Sequence, residues 1–309
     1  MKEQISKIKA ALFEVYDKKY KLLLIIPMAL LFLSLVQIGY QLYDTGDFIR
    51  KDVSLKGGVT ITIPLEKSID TKIFKNHLAS KFPDNEVAVR TLKGAGKDVG
   101  VIIEAAIDGN DKERIQRFLN EIESVLSLDL KKSNYGIETI GSSLGRSFFR
   151  ELLMALGSAF LFMGLVVFIY FRTFIPSIAI ILAAFSDMVI ALAVMNLMDL
   201  RIGTAGIAAF MMLIGYSVDT DILLTVRVLK RKEGTVMDRI ISSFKTGMTE
   251  TITAIVAVTV ALMVTQSEVI RQIMLILLIG LIADIVNTWI QNVALLRIYL
   301  DRKSKKATA

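Results

Sequence analysis

The chain has 309 residues, of which 53% are hydrophobic and 22% are charged, and its formal net charge is +7. This apolar fraction is too high for a soluble domain, and the charged fraction is too high for membrane spans alone, so we expect two kinds of structure in one chain. The sequence has no cysteine, which excludes disulfide bonds and thiolate chemistry.

The first long apolar run covers residues 22–42, and a polar block extends from 43 to about 150. Five more apolar runs follow close together, at 152–171, 174–198, 202–226, 249–266 and 269–297. A helix of about 20 residues crosses a bilayer and satisfies its own backbone hydrogen bonds, which lipid cannot do. We therefore expect an α-helical bundle of six transmembrane helices, in which the first run is retained and not cleaved as a signal peptide.

Lysine and arginine residues are concentrated in the N-terminal segment, in the link after the fourth run and in the tail. These residues are Lys2, Lys7, Lys9, Lys18, Lys19, Lys21, Arg227, Lys230, Arg231, Lys232, Arg239, Lys245, Arg302, Lys303, Lys305 and Lys306. Among the short links on the other side, the sequence has only Arg201 and Arg271. The positive-inside rule then predicts a multi-pass protein of the cell membrane with cytoplasmic N- and C-termini. This topology, with some attraction to anionic membrane lipid, explains the net charge without a nucleic-acid partner.

The polar block has the pattern of a small globular domain. The predicted elements are a strand at 59–63, a helix that begins after Asp70, strands at 86–92 and 99–107 joined by a turn with Gly94 and Gly96, a helix that Asp111 opens, and a strand at 135–140. This β-α-β-β-α-β order is typical of a ferredoxin-like α+β domain. We expect residues 43–150 to form such a domain outside the membrane, between a first part at 1–42 and the remaining bundle and tail at 151–309.

His77 is the only histidine. Its sequence neighbours include no cysteine or acidic residue that could complete a metal site, so we interpret it as an ordinary helix residue. The sequence therefore predicts no metal and no cofactor.

Four aspartates fall within the apolar runs: Asp187 in the third, Asp219 and Asp221 in the fourth, and Asp284 in the sixth. A carboxyl group at membrane depth costs several kcal/mol unless it faces the protein interior or water. These residues are either a proton relay or hydrogen-bonded contacts that hold helices together.

In the fourth run, Tyr216 and Asp219 are three residues apart and share a helix face, whereas Asp221 points roughly the opposite way. Only one of the two aspartates can face the centre of the bundle, and we expect Asp219 with Tyr216 to be the functional pair. Glycines of this run, including Gly215, permit close helix packing.

Three local motifs complete the pattern. They are 52–60, which contains Gly57 and Gly58, 140–146, and 215–224, which contains Gly215, Tyr216, Asp219 and Asp221. With one helix, an external domain and five clustered helices, the chain resembles the SecF branch of the SecD/SecF family. The resemblance implies a heteromer with SecD that associates with the SecY channel and uses the proton-motive force to help an unfolded polypeptide across the membrane.

Two departures from the family pattern leave the energy source open. Thr220 stands where many relatives have an aspartate, and Thr249 stands where bacterial relatives have an arginine. Proton coupling could use Asp219 with Tyr216, could depend on SecD, or could be absent.

Three other functions compete with this interpretation. The first is a proton-driven exporter of small molecules or lipids, although such pumps have two membrane halves and larger external domains. The second is an intramembrane aspartyl protease, but its Gly-Xaa-Gly-Asp signature is missing before Asp219. The third is a purely structural subunit of the translocon. The sequence contains no nucleotide-binding or zinc-protease motif, so we expect no catalytic residue and no enzyme activity.

Overall fold

The computed structural model describes residues 16, 18–65, 69–94, 97–126, 135–231, 233–265 and 267–308. Six helices in these ranges are long and apolar enough to cross a membrane. They are span 1 (Tyr20–Thr45), span 2 (Ser142–Phe171), span 3 (Phe174–Leu197), span 4 (Thr204–Lys230), span 5 (Val236–Val264) and span 6 (Glu268–Lys305). The predicted six-helix class is therefore confirmed. Of the predicted features, Lys2, Lys7, Lys9, Gly96, Lys232 and Gln266 lie outside the described residues.

Spans 2 and 5 begin earlier than the hydropathy pattern predicts, at Ser142 and Val236. At span 5 the cause is a capping box, in which Asp238 N–H donates to Thr235 Oγ1 (3.1 Å) and Thr235 N–H donates to the Asp238 carboxylate (2.9 Å). This cap begins the helix in a polar segment. Hydropathy marks only the part of a helix that lies in hydrocarbon, so the earlier turns were missed.

Spans 3, 4 and 6 form the centre of the bundle, and spans 1, 2 and 5 lie around them. In the most apolar stretch of spans 3 and 4, 56% of the residues are buried. The corresponding share in span 2 is only 6%. Polar side chains that point inward from spans 3, 4 and 6 can therefore meet one another, away from lipid.

A four-stranded sheet with two long helices, which we call the sheet domain, lies between spans 1 and 2. In chain order its elements are α1 (Val53–Lys56), β1 (Gly58–Pro64), α2 (Thr71–Lys81), β2 (Val87–Gly94), β3 (Lys97–Ala105), α3 (Lys112–Leu126) and β4 (Gly136–Ile140). The strand order is β2-β3-β1-β4, with every neighbouring pair antiparallel. This is the ferredoxin-like arrangement that the sequence predicts. The short helix α1 was not predicted.

Apolar residues and threonines alternate along β1, and this alternation explains how the sheet domain packs. Val59, Ile61 and Ile63 are buried in a core that includes Phe74 of α2 and Phe118 of α3. The intervening threonines of β1 line a cavity of about 390 Å³ beside the ends of spans 4 and 6. One face of the sheet therefore carries the helices, and the other face looks onto the bundle.

The segment that leads from span 1 to the sheet domain is hydrogen-bonded to the link between spans 3 and 4. Ile202 N–H donates to the carbonyl of Arg50 (2.6 Å), and Asp52 N–H donates to the carbonyl of Ile202 (3.1 Å). Thr204 N–H, at the start of span 4, donates to Ser54 Oγ (3.0 Å). The sheet domain is thereby attached to the two central helices that the link joins.

Gly57 and Gly145 let the start of span 2 cross close to the beginning of the sheet. Gly57 has φ +82°, and a Cβ on it would lie 2.7 Å from the backbone nitrogen of Ser142. A Cβ on Gly145 would lie 2.5 Å from the backbone nitrogen of Gly57. Both contacts are with backbone atoms, which cannot move aside as a side chain can.

We expect Gly57→Ala to destabilise the protein by roughly 3 kcal/mol, because the positive φ and the contact with Ser142 both disfavour a side chain. The measurement is the thermal unfolding midpoint of the purified protein. Gly136→Ala is the matched control, because Gly136 has no atom within 4 Å of the added Cβ. Equal midpoints for the two variants would contradict the close crossing.

A second prediction concerns Glu86, which joins the sheet domain to the span 3–4 link. Its carboxylate accepts hydrogen bonds from Arg201 Nη2 (2.8 Å) and Lys56 Nζ (2.9 Å). Partial burial alone would raise the pKa of Glu86, but the hydrogen bond from Lys56 and the charges of Arg201 and Lys56 outweigh it and lower the pKa. A carboxylate with a lowered pKa stabilises the folded state above its unfolded pKa, and this contribution is lost as the pH falls through the folded value.

We therefore expect wild type to unfold at a higher temperature than Glu86→Gln. The difference between the two unfolding midpoints should be constant down to about pH 5 and should disappear below about pH 4. The difference is small, since 52% of the Glu86 side chain is exposed to solvent. Unfolding midpoints of both proteins across this pH range test the prediction. A difference in midpoint that persists at the lowest pH of this range would show that the charge of Glu86 is not what attaches the domain.

Candidate functional site

Three carboxyl groups meet in the centre of the membrane bundle. Asp187 of span 3 and Asp221 of span 4 are completely buried, and Asp284 of span 6 is 1% exposed. We call these three residues the carboxyl cluster. Each central span contributes one of its members.

Asp187 connects spans 3, 4 and 6 through two hydrogen bonds. Ser217 Oγ of span 4 donates to Asp187 Oδ2 (2.6 Å), and Asn287 Nδ2 of span 6 donates to Asp187 Oδ1 (2.7 Å). Both oxygens of this carboxyl group therefore have a neutral donor. A buried carboxyl group without such donors would be strongly destabilising.

Asp221 and Asp284 share one hydroxyl group. Thr288 Oγ1 lies 3.0 Å from Asp221 Oδ1 and 2.8 Å from Asp284 Oδ1, and Asn292 Nδ2 also donates to Asp221 Oδ1 (2.7 Å). A hydroxyl group has a single hydrogen, so Thr288 can donate fully to one carboxyl group, while a protonated carboxyl group can donate to Thr288. The arrangement fits one proton held between Asp221 and Asp284.

Several buried atoms around the cluster retain hydrogen-bonding capacity. Asp221 Oδ2, Asp284 Oδ2, Asn292 Oδ1 and both amide atoms of Gln291 make no hydrogen bond with the described residues. In a membrane interior such atoms are costly unless they have a function or bind a polar species.

A π-helical segment, Asn287–Asn292, interrupts span 6 beside the cluster. Its polar residues Asn287, Thr288, Gln291 and Asn292 are all completely buried. Hydrogen bonds in a π-helix join residues five apart, so the turn is wider than in an α-helix, and such segments occur often at functional sites. Here Asn287, Thr288 and Asn292 of the segment make four hydrogen-bond contacts with the cluster.

The structure places the two aspartates of span 4 on opposite faces. Asp221 faces spans 3 and 6, whereas Asp219 is exposed on the outward face with Tyr216, whose side chain is 46% exposed. Positions two apart on a helix point about 200° apart, so packing of one aspartate inward turns the other outward. Asp219 and Tyr216 are therefore not part of the carboxyl cluster. Gly215 lies on the same outward face, and a Cβ on it would meet nothing within 4 Å, so it is not a packing contact within this chain.

Sequence reasoning missed Ser217, Thr288 and Asn292. Thr288 and Asn292 follow Asp284 at intervals of four residues, which is the spacing of one helix face, so their signal was present. Ser217 is four residues before Asp221 and could have been found in the same way. The π-helical segment has no comparable signal in the sequence.

Among the residues that the structure describes, no group of three or more His, Cys, Asp or Glu side chains is arranged to hold a metal ion. His77 lies on the surface of the sheet domain, with Nε2 2.8 Å from Glu121 Oε1. It joins α2 to α3.

The fold and the carboxyl cluster define a polytopic membrane protein that has a ferredoxin-like domain between its first two spans and titratable groups at the bundle centre. A family model, described as protein export membrane protein SecD/SecF, C-terminal, matches residues 121–302. The protein-export membrane protein SecF of Methanocaldococcus jannaschii is 39% identical over 94% of this chain and 99% of its own length. SecF of Pyrococcus furiosus is 33% identical over 99% of this chain and 100% of its own. The chain belongs to the SecD/SecF family of protein-export membrane proteins.

A solved structure has the same fold. The crystal structure of SecDF, a translocon-associated membrane protein from Thermus thermophilus, superposes with a TM-score of 0.70 at 19% sequence identity. The match covers 92% of this chain but only 38% of the longer SecDF chain.

We expect Asp187→Leu to destabilise the protein by about 2–4 kcal/mol, because it leaves the buried donors of Ser217 and Asn287 without an acceptor. Asp219→Leu is the control, because it makes the same chemical change on the exposed face of span 4. Unfolding midpoints of the two purified variants are compared with wild type. A loss of stability in Asp219→Leu as large as that in Asp187→Leu would contradict the assigned orientation of span 4.

Proposed function

We propose that this protein is an auxiliary subunit of the Sec protein-export machinery. It acts with SecD at the SecY channel to promote movement of unfolded polypeptides across the cell membrane, and protons that enter and leave the carboxyl cluster supply energy. Membership in the SecD/SecF family supports the export role. The observation that carries the proton coupling is the meeting of Asp187, Asp221 and Asp284 on three central spans, fully buried and hydrogen-bonded to neutral side chains. No catalytic activity is part of the proposal.

Protonation of the cluster would change how the central helices pack. When Asp221 or Asp284 carries a proton, that carboxyl group can donate to Thr288 Oγ1 while the Thr288 hydroxyl donates to the other carboxyl group, so a chain of hydrogen bonds joins spans 4 and 6. Loss of that proton leaves two like charges close together where the dielectric constant is low, and their repulsion is much stronger than in water. Spans 4 and 6 would then separate or admit water. A local change in charge is thus coupled to helix position.

The attachment of the sheet domain supports transmission of this change. Spans 3 and 4 carry Asp187 and Asp221, and the link that joins these spans is hydrogen-bonded to residues 50–54. A displacement of either span therefore acts directly on the segment that leads into the sheet domain. Work on an exported polypeptide would be done on that side of the membrane.

The exposed face of span 4 supports assembly with SecD. Tyr216 and Asp219 are polar groups at membrane depth on a face that this chain leaves open. Exposure of a carboxyl group to lipid is costly, so a protein partner is the expected neighbour. A SecD membrane half would cover this face.

The orientation of the chain is also part of the proposal. Span 4 begins beside the sheet domain and runs to Lys230, so Arg227, Arg231 and Arg239 lie at the opposite end of the bundle. The positive-inside rule makes that end cytoplasmic, with the N- and C-termini on the same side. Residues 43–150 then form the external part, between the cytoplasmic N-terminus with the first helix at 1–42 and the bundle and tail at 151–309.

We expect Asp221→Asn to reduce export of a secreted reporter by about tenfold or more in cells whose only copy carries the change, because asparagine keeps an acceptor for Thr288 but cannot release a proton. Glu250→Gln makes the same change from carboxylate to amide on the exposed face of span 5 and is the control that is expected to retain export. Membrane level and association with SecD are measured for both variants. Normal export with Asp221→Asn would remove this residue from the relay.

A structural subunit is the second candidate function, and the hydrogen bonds of Asp187 to two neighbouring spans favour it. The two functions differ in the triple variant in which Asp187, Asp221 and Asp284 are all asparagine. If this variant assembles with SecD and supports normal export, the cluster only holds the spans together. If it assembles but export is lost, titration of the cluster is required.

A further inference from the structure

Three arginine side chains converge on a cavity at the end of the bundle opposite the sheet domain. Arg227 is in the last turn of span 4, Arg231 follows that helix, and Arg239 is in the first turn of span 5. The cavity has a volume of about 250 Å³ and is completed by Glu233, Gly234, Asp238 and Ser242. It lies outside the carboxyl cluster, and the proton relay does not use it.

Hydrogen bonds to the protein hold two of the three guanidinium groups in place. Arg227 Nη1 donates to the carbonyl of Ser242 (2.7 Å) and to Thr246 Oγ1 (2.9 Å). Arg239 Nη1 donates to the carbonyl of Arg231. Arg239 Nε also donates to the carbonyl of Thr235 (3.4 Å). A guanidinium group has five N–H donors in a rigid plane, and Nη2 of both Arg227 and Arg239 makes no hydrogen bond with the described residues, so its donors remain available.

Neighbouring carboxylates offset part of this positive charge but do not pair with the arginines. Among the described residues, none of the three arginines forms an ion pair. The carboxylate of Asp238 is instead held by the cap of span 5, where it accepts from the Thr235 N–H (2.9 Å) and hydroxyl (2.7 Å). Glu233 is exposed on the rim. Three positive charges, two of them held in place, thus face two carboxylates around a space that could admit an anion, and the lining keeps an excess of positive charge.

The position of the cavity relative to the bilayer indicates which anion it takes. The predicted apolar part of span 4 ends at residue 226, directly before Arg227, so the arginines lie at the level of the lipid headgroups. Lys230 Nζ lies 3.8 Å from the centre of the Tyr170 ring, an aromatic–cation pair of the kind found at membrane interfaces. Planar guanidinium donors match the oxygens of carboxylate and phosphate groups, and at the level of the headgroups the phosphate of an anionic lipid is the abundant anion of this kind.

We propose that the cavity formed by Arg227, Arg231 and Arg239 binds a phosphate group, and that this group belongs to an anionic membrane lipid. The lipid would bridge spans 4 and 5 at the membrane surface. This site is separate from the export role and from the carboxyl cluster. Failure of the lipid-site proposal would therefore leave the proposed export function standing, and the reverse also holds.

The test measures lipid binding to the full-length protein, purified in a non-ionic detergent, by native mass spectrometry. Dioleoylphosphatidylglycerol is titrated, with dioleoylglycerol as the phosphate-free lipid and inorganic phosphate as the soluble anion. Arg231→Gln is the main variant, because the Arg231 side chain makes no hydrogen bond with the described residues and its loss should not disturb folding. Arg302→Gln is the matched control, since Arg302 is exposed in the tail at the same end of the bundle and does not line the cavity.

We expect Arg231→Gln to raise the dissociation constant for phosphatidylglycerol by about tenfold, the loss of one charge-assisted contact, and Arg302→Gln to leave it unchanged. Arg239→Lys, which keeps the charge but loses the planar fork, should also weaken binding. Dioleoylglycerol should not bind at this site. These results would support a lipid phosphate site.

Two outcomes would overturn the proposal. Equal weakening by Arg231→Gln and Arg302→Gln would mean that lipid is attracted only by the overall charge of this end. Binding of inorganic phosphate as tightly as phosphatidylglycerol, with the same dependence on Arg231, would keep phosphate recognition but overturn the lipid as its source.

Discussion

A carboxyl group in the middle of a membrane span must find its hydrogen-bond partners within the protein, because lipid offers none. Three such groups occur on spans 3, 4 and 6, and their donors come from spans 4 and 6. Each span thereby needs the other two as neighbours. This requirement explains why these helices occupy the centre of the bundle, while spans 1, 2 and 5 can turn most of their apolar surface toward lipid.

The sheet domain depends on the same central helices. The chain that enters it is hydrogen-bonded to the span 3–4 link, and the chain that leaves it passes directly into span 2, against Gly57. Both connections use backbone atoms and leave little space for rearrangement at the point of attachment. The domain is therefore better described as an extension of spans 2, 3 and 4 than as a body on a loose tether.

The sequence contained enough information for the element order but not for the orientation of span 4. Each span could be predicted because it has a long apolar run, and the sheet because β1 alternates and Asp70 caps α2 through the N–H groups of Lys72 and Ile73. Span 4 is apolar on most of its circumference, so its own pattern could not decide between Asp219 and Asp221. That choice was made by the partners of Asp221 on span 6, Thr288 and Asn292, which lie far away in the sequence.

The π-helical segment has a consequence for chain length. A turn closed between residues five apart contains one residue more than an α-helical turn, so span 6 carries an extra residue within Asn287–Asn292. Deletion of one residue there would restore a continuous α-helix. The faces of span 6 before and after the segment would keep their present directions. The inward direction shared by its four polar side chains would be lost. A relative that is one residue shorter in this segment would therefore retain span 6 as a helix but not the carboxyl cluster, whereas a relative of the same length could retain both.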